Sequence, residues 1–205
     1  KEATEIARRE GINYIPGIEV DCIYNGINLH ILGYHIDWRA SAFNDLEEEV
    51  SANVMESLDK MIGNIQALGF RIEKDTVLEY ANGTVPSAEL IAEIMLSEKK
   101  YHTPLLEPYM QGGARSDMPY INFYLDYFAQ GKPAFVPVEY ISFGNAIQLI
   151  KDNGGIPVIA HPGLNLKGQE NIAEELLAGG ALGLEVFNNY HTMEQISYFA
   201  GVVQQ

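Results

Sequence analysis

The amino-acid sequence predicts an α/β fold interrupted by a helical insertion. Two patterns predict it. From Gly131 onward, short apolar runs alternate with amphipathic ones: KPAFVPV then FGNAIQLIKDN, IPVIA then GQENIAEELLA, ALGLEVF then a last helix from about Thr192. Alternation of this kind implies parallel strands joined by crossover helices. Between Ser41 and Pro119 the periodicity is mainly helical, which divides the chain into 1–40, an insertion at 41–119, and 120–205.

The elements can be read in order. Ala3, Ile6 and Ala7 share one face of an opening helix that Gly11 stops. INYIPGIEV reads as a buried strand, and a turn at Tyr24-Asn25-Gly26 leads to a second one, INLHILGYHI. Leu46, Val50, Val54, Leu58, Met61, Ile65 and Leu68 then recur at three- and four-residue steps, predicting one long amphipathic helix ended by Gly69. A second helix is expected over Asp75–Ala81, stopped by Asn82-Gly83, and a third over SAELIAEIMLSE. Tyr101 to Pro119, with Pro104, Pro108, Gly112 and Gly113, reads as a loop. INFYLDYFAQ is expected to be helical up to Gly131, and Ser142 to cap the helix that Gly154-Gly155 ends. The chain opens and closes inside helical pattern, without caps, so both ends of the domain are expected to lie outside it.

Composition narrows the function. The chain has 205 residues, of which 47% are hydrophobic, ample for one buried core. No apolar run approaches the roughly 18–20 residues of a membrane span, and no partner membrane is expected. Cys22 is the single cysteine, which excludes a disulfide framework and a cysteine-rich zinc site and makes a reducing cytoplasm the simplest compartment. A formal net charge of -15 opposes nucleic-acid polymer binding. It does not oppose a small phosphorylated substrate, because bound cations reverse the sign locally.

Three polar residues interrupt apolar strands: Glu19, His30 between Leu29 and Ile31, and His161 directly after IPVIA. The reading places each at a downstream strand end, the active-site face of barrel folds. A lone histidine there can equally be satisfied by one carbonyl, and a lone glutamate by an arginine. One acid and two imidazoles together point to a metal site, and that donor set suits zinc, manganese or iron better than calcium or magnesium.

IPGIEV (15–20), LHILGYHID (29–37), GGIPVIAHPG (154–163) and LGLEVFNNYHT (182–192), in this order, resemble consecutive motifs of the polymerase-and-histidinol-phosphatase (PHP) family of metal-dependent phosphoesterases, and GKPAFVP (131–137) resembles the strand before the third. The likeness is weak across 41–119. It implies a distorted (β/α)7 barrel, incomplete in this chain, with Glu19, His30 and His161 as ligands of a cluster of up to three divalent metals (Mn, Zn or Fe). It further implies hydrolysis of a small phosphate ester, such as a nucleotide, by metal-activated water. The family's HxH, acid-His-Asp and Ser-Asp-x-His motifs have no counterpart here, so an alternative is a non-catalytic remnant or binding module. Another is an amidohydrolase-type metal hydrolase. His191 matches the family's E-V-[YF]-x-x-x-H pattern, which implies phosphate contact and a catalytic part in orienting or protonating the substrate. Glu185 stands equally as a structural hydrogen-bonding group. His35 is expected in structural use and His102 in solvent, while Arg115 and Lys132 carry charge that a phosphate could meet. Oligomeric state is not legible.

Overall fold

A computed structural model of the chain describes residues 2–204. In chain order the elements are α1 (Glu2–Arg9), β1 (Gly17–Tyr24), β2 (Ile27–Tyr34), α2 (Ser41–Ala67), α3 (Lys74–Ala81), α4 (Ala88–Ser97), α5 (Pro119–Phe123), β3 (Ile141–Ser142), α6 (Phe143–Asp152), β4 (Ile156–Ile159), α7 (Pro162–Asn165), α8 (Ile172–Ala178), β5 (Gly183–Leu184) and α9 (Met193–Val202). They form two compact units. One comprises the segment up to Asp45 together with that from Tyr140 onward, and the other is Leu46–Glu139. Among the described residues no helix is long and apolar enough to cross a membrane.

The first unit is built on a mixed five-stranded sheet in the order β3-β1-β2-β4-β5. β1 pairs with β3 in parallel and β4 with β5 in parallel, but β2 runs antiparallel to both β1 and β4. The parallel pairing expected after Gly131 is present between β4 and β5, whereas β2 is antiparallel for a local reason. Tyr24 pairs with Ile27, so only Asn25 and Gly26 connect the strands, and both have positive φ (49° and 81°). A two-residue connection of this type joins only antiparallel strands. Nor are these strands buried on both faces. Val20, Cys22, Leu29, Ile31 and Ile159 lie between 0% and 3% exposed, whereas Glu19 is exposed and Asp21, His30, Leu32 and Val158 are half-buried. The covered face receives Phe143, Ala146, Ile147 and Ile150 of α6, and each large apolar side chain fully buried there stabilises the fold by about 1.5–3 kcal/mol.

KPAFVPV is not a strand. Pro133 and Pro137 lack the N–H a ladder needs, and pairing to β1 begins only where Ile141 and Ser142 meet Cys22 and Ile23. Ser142 does cap α6, its hydroxyl accepting from Asn145 N at 3.2 Å.

The second unit is helical. Leu58, Ile65, Ile72, Ile91, Ile94, Met95, Leu106 and Phe123 form its buried core, and Phe128 and Ala134 join it. These last contacts lie within the unit that runs to Glu139. α2 is the long helix the periodicity predicts, followed by Gly69 at φ 96°. The 101–119 segment is less irregular than expected, with short 3-10 turns at Lys99–Tyr101 and Pro104–Tyr109. α5 continues into a π-helical turn, Tyr124–Phe128.

The contact of the sheet with α6 is tight enough to test. A Cβ on Gly155 would lie 2.7 Å from Ile36 Cγ2 and 2.8 Å from Ile150 Cγ2. Gly155→Ala should destabilise the protein by about 1–3 kcal/mol through overpacking, read as a lower urea midpoint at an unchanged slope; an unchanged midpoint would disprove the contact.

Candidate metal centre

β1 and β2 place side chains alternately on the two faces of the sheet. In the observed register Asp21 pairs with His30 and Glu19 with Leu32, so Glu19, Asp21 and His30 share the face that α6 does not cover. Glu19 is the third residue of β1 and His30 lies in the middle of β2, so neither is at a downstream strand end. Their approach comes from the hairpin register. His161 follows β4, and continued alternation would put it on the face of Ile159. Its backbone instead takes φ 26°, ψ 56°, a conformation that costs a non-glycine residue on the order of 1–3 kcal/mol. The turn is held by Glu185, whose Oε2 accepts from His161 N at 2.7 Å.

The three side chains meet. Glu19 Oε1 accepts from His30 Nδ1 at 2.8 Å and from His161 Nε2 at 3.1 Å, and one donor atom from each residue falls within a 4.8 Å group. The His30 and His161 rings meet edge to face at 4.9 Å between centroids. Each imidazole is held from its far side as well. His30 Nε2 donates to Asp21 Oδ1 at 2.8 Å. His161 Nδ1 pairs with Asn165 Oδ1 at 2.8 Å, and Asn165 Nδ2 donates to Asn28 O at 3.0 Å. Hydrogen bonds from His161 and then His30 hold the Glu19 carboxyl well below the usual carboxylate range. For His30, burial is the largest influence and opposes the charge. The hydrogen bonds and charges of Asp21 and Glu19 outweigh it and push the imidazole up to about 9.

The donor set fits a divalent cation. Donors on a tetrahedral ion at about 2.1 Å stand roughly 3.4 Å apart, so a cation could replace the two protons shared with Glu19 after a small opening. Two imidazoles and one carboxylate suit zinc, manganese or iron.

His191 is placed by its own network. Its Nδ1 donates to Val186 O at 2.9 Å, and its Nε2 accepts from Gly163 N at 3.1 Å, so both ring nitrogens are engaged with backbone. The approach is close: a Cβ on Gly163 would lie 2.6 Å from His191 Cδ2. Asn188 Nδ2 donates to Glu185 Oε2 at 3.0 Å, tying this loop to the turn at His161. Asp21 is the residue that sequence reading missed, although its two-residue spacing from Glu19 on one strand was the available signal. Of the remaining candidates, His35 is outside the donor group, and His102, Arg115 and Lys132 belong to the helical unit. His35 is exposed at φ 63°, and His102 is half-buried, its Nε2 donating to Leu96 O at 3.0 Å, not solvated as expected. Arg115 is spent on Asp126 through two bonds of 2.9 and 3.0 Å, and Lys132 is exposed. Burial pushes the Cys22 thiol up to about 12, which makes it unreactive.

Comparison with known proteins gives a consistent picture. No family model matches the chain. It is 26% identical over 202 residues to a 3',5'-nucleoside bisphosphate phosphatase of Chromobacterium violaceum, covering 97% of this chain and 66% of that protein. It is 28% identical over 163 residues to the 5'-3' exoribonuclease Rnm of Escherichia coli, covering 78% and 50%. Among solved structures, an amidohydrolase of Chromobacterium violaceum with bound sulfate superposes with a TM-score of 0.75 at 25% identity, over 98% of this chain and 67% of that one. A protein of Bifidobacterium adolescentis described as a metal-dependent phosphoesterase superposes at 0.72 and 21% identity, over 99% and 68%, and shows the fold. The chain thus spans about half to two thirds of the curated relatives it matches. With the ordered motifs around Glu19, His30 and His161, the chain is thus similar to phosphoric ester hydrolases and resembles the PHP family of metal-dependent phosphoesterases.

Proposed function

We propose that this protein hydrolyses a small phosphate ester, with Glu19, His30 and His161 holding a divalent cation. The observation that carries this reading is the convergence of one carboxylate and two imidazoles on the uncovered face of the sheet. When bound, the cation supplies Lewis acidity toward phosphoryl oxygens and lowers the pKa of a coordinated water. The chain's own residues do the positioning. Glu19 brings the negative charge that favours a cation, and His161 is fixed through Glu185 and Asn165. For His191, its two backbone hydrogen bonds support holding the loop after β5 against Gly163. Contact with a substrate phosphate would require one of those bonds to break.

A nucleotide is the substrate class we favour, because the names of relatives run from a nucleoside bisphosphate phosphatase to an exoribonuclease. The exoribonucleases are also the reason to test a short oligoribonucleotide beside mononucleotides, despite the net charge of -15. Manganese, zinc or iron is the proposed metal, a distorted (β/α)7 barrel the proposed complete fold, and a reducing cytoplasm, in keeping with the lone Cys22, the proposed compartment. The amidohydrolase likeness supports a second reading, hydrolysis of a C–N bond.

Phosphate release from nucleoside monophosphates, bisphosphates and a short oligoribonucleotide, measured beside ammonia release with manganese or zinc supplied, tests the reading; ammonia without phosphate would select the second. Glu19→Gln and His161→Ala should each lower bound metal and reduce kcat/KM by at least about 10²-fold, the scale on which loss of one electrostatic stabiliser is felt. Unchanged metal content in either variant would remove that residue from the site. His30 is protonated below about 9, and its Nδ1 must give up that proton to meet a cation. Metal affinity should therefore rise with pH, by up to about tenfold per unit between pH 7 and 9, as read by chelator competition. A flat profile would show that His30 is not a ligand.

A further inference from the structure

Asp21 is a charged group that touches an imidazole of the cluster without belonging to its donor set. It stands on the site face two residues from Glu19 and pairs directly with His30 across the hairpin. Its Oδ1 accepts from His30 Nε2 at 2.8 Å, while His30 Nδ1 points the other way, to Glu19. An imidazole can give a cation only one of its nitrogens while the other keeps a proton, and whatever accepts that proton decides which nitrogen is free. His161 shows the same division on this chain: its Nδ1 is held by Asn165 and its Nε2 faces Glu19. The two acceptors differ, a neutral amide behind His161 and a carboxylate behind His30, and a carboxylate raises the basicity of the ligand it holds.

We infer that Asp21 is a positioning residue that keeps the proton on His30 Nε2, orients the ring, and commits Nδ1 as the ligand atom beside Glu19. The inference rests on the proposed metal site and adds a determinant of its affinity. Asp21 is half-exposed on the face that α6 does not cover, and His30 is the side chain it is bonded to there.

The test uses the full-length protein loaded with zinc. Long-range 1H–15N correlation of the imidazoles should show His30 protonated at Nε2 with Nδ1 on the metal. Asp21→Leu should weaken zinc binding by about 10- to 100-fold in chelator competition and leave the His30 ring without a single fixed tautomer. Asp21→Asn, which keeps an Oδ1 acceptor without the charge, should recover part of the affinity and the Nε2–H signal. Metal on His30 Nε2 in the wild type, or Asp21→Leu binding zinc within about twofold of wild type while Glu19→Gln and His161→Ala lose it, would overturn this role and leave the metal site standing. A wild-type protein that takes up neither zinc nor manganese would overturn both.

Discussion

The candidate site depends on one hairpin. Asn25 and Gly26 adopt the positive-φ turn that a tight antiparallel connection needs, and that turn fixes the register in which Asp21 faces His30. Because side chains alternate with period two, a slip of one residue would send Glu19, Asp21 and His30 into the α6 interface and bring Val20, Cys22 and Leu29 to the surface. The penalty for burying charged groups without partners and exposing that apolar face is large enough to hold the register. The packing of α6 against the sheet and the polarity of the opposite face are thus two consequences of one pairing.

His161 reaches the cluster by a different route. Here the strand ends, the backbone turns through a left-handed conformation, and hydrogen bonds to Glu185, Asn165 and Glu19 hold the result. The strain at one residue is offset by several charge-assisted or well-aligned hydrogen bonds, each typically contributing about 0.5–3 kcal/mol. The loop after β5 reinforces the turn through Asn188 and through His191, whose contact with Gly163 leaves no room for a larger residue. Rigidity of this kind is what a metal site needs, since ligand geometry is set by the groups behind the ligands.

The electrostatics are matched to a cation. A chain of net charge -15 draws cations in general, and within the cluster His30, held between two carboxylates, favours its protonated form. A divalent ion would displace the proton and reverse the local sign, which would let an acidic protein accept the anionic substrate proposed above.

Much of this was legible in the residues. The long helix of 41–67, the cap at Ser142, the helix starts at Ser87 and near Thr192, the stops at Gly69 and Asn82, and the candidates Glu19, His30 and His161 all follow from periodicity, capping chemistry and polar interruptions of apolar runs. Such signals lie within a few residues of chain, where local propensity acts. The register that sets Asp21 beside His30, and the pairing of β2 with β4 and of β1 with β3, were decided by contacts between strands. The sequence by itself determined which residues can ligate and where helices begin and end. Only the tertiary structure decided which face each ligand occupies and which nitrogen it offers, because a hydrogen bond across a sheet depends on register, and register is a property of two strands at once.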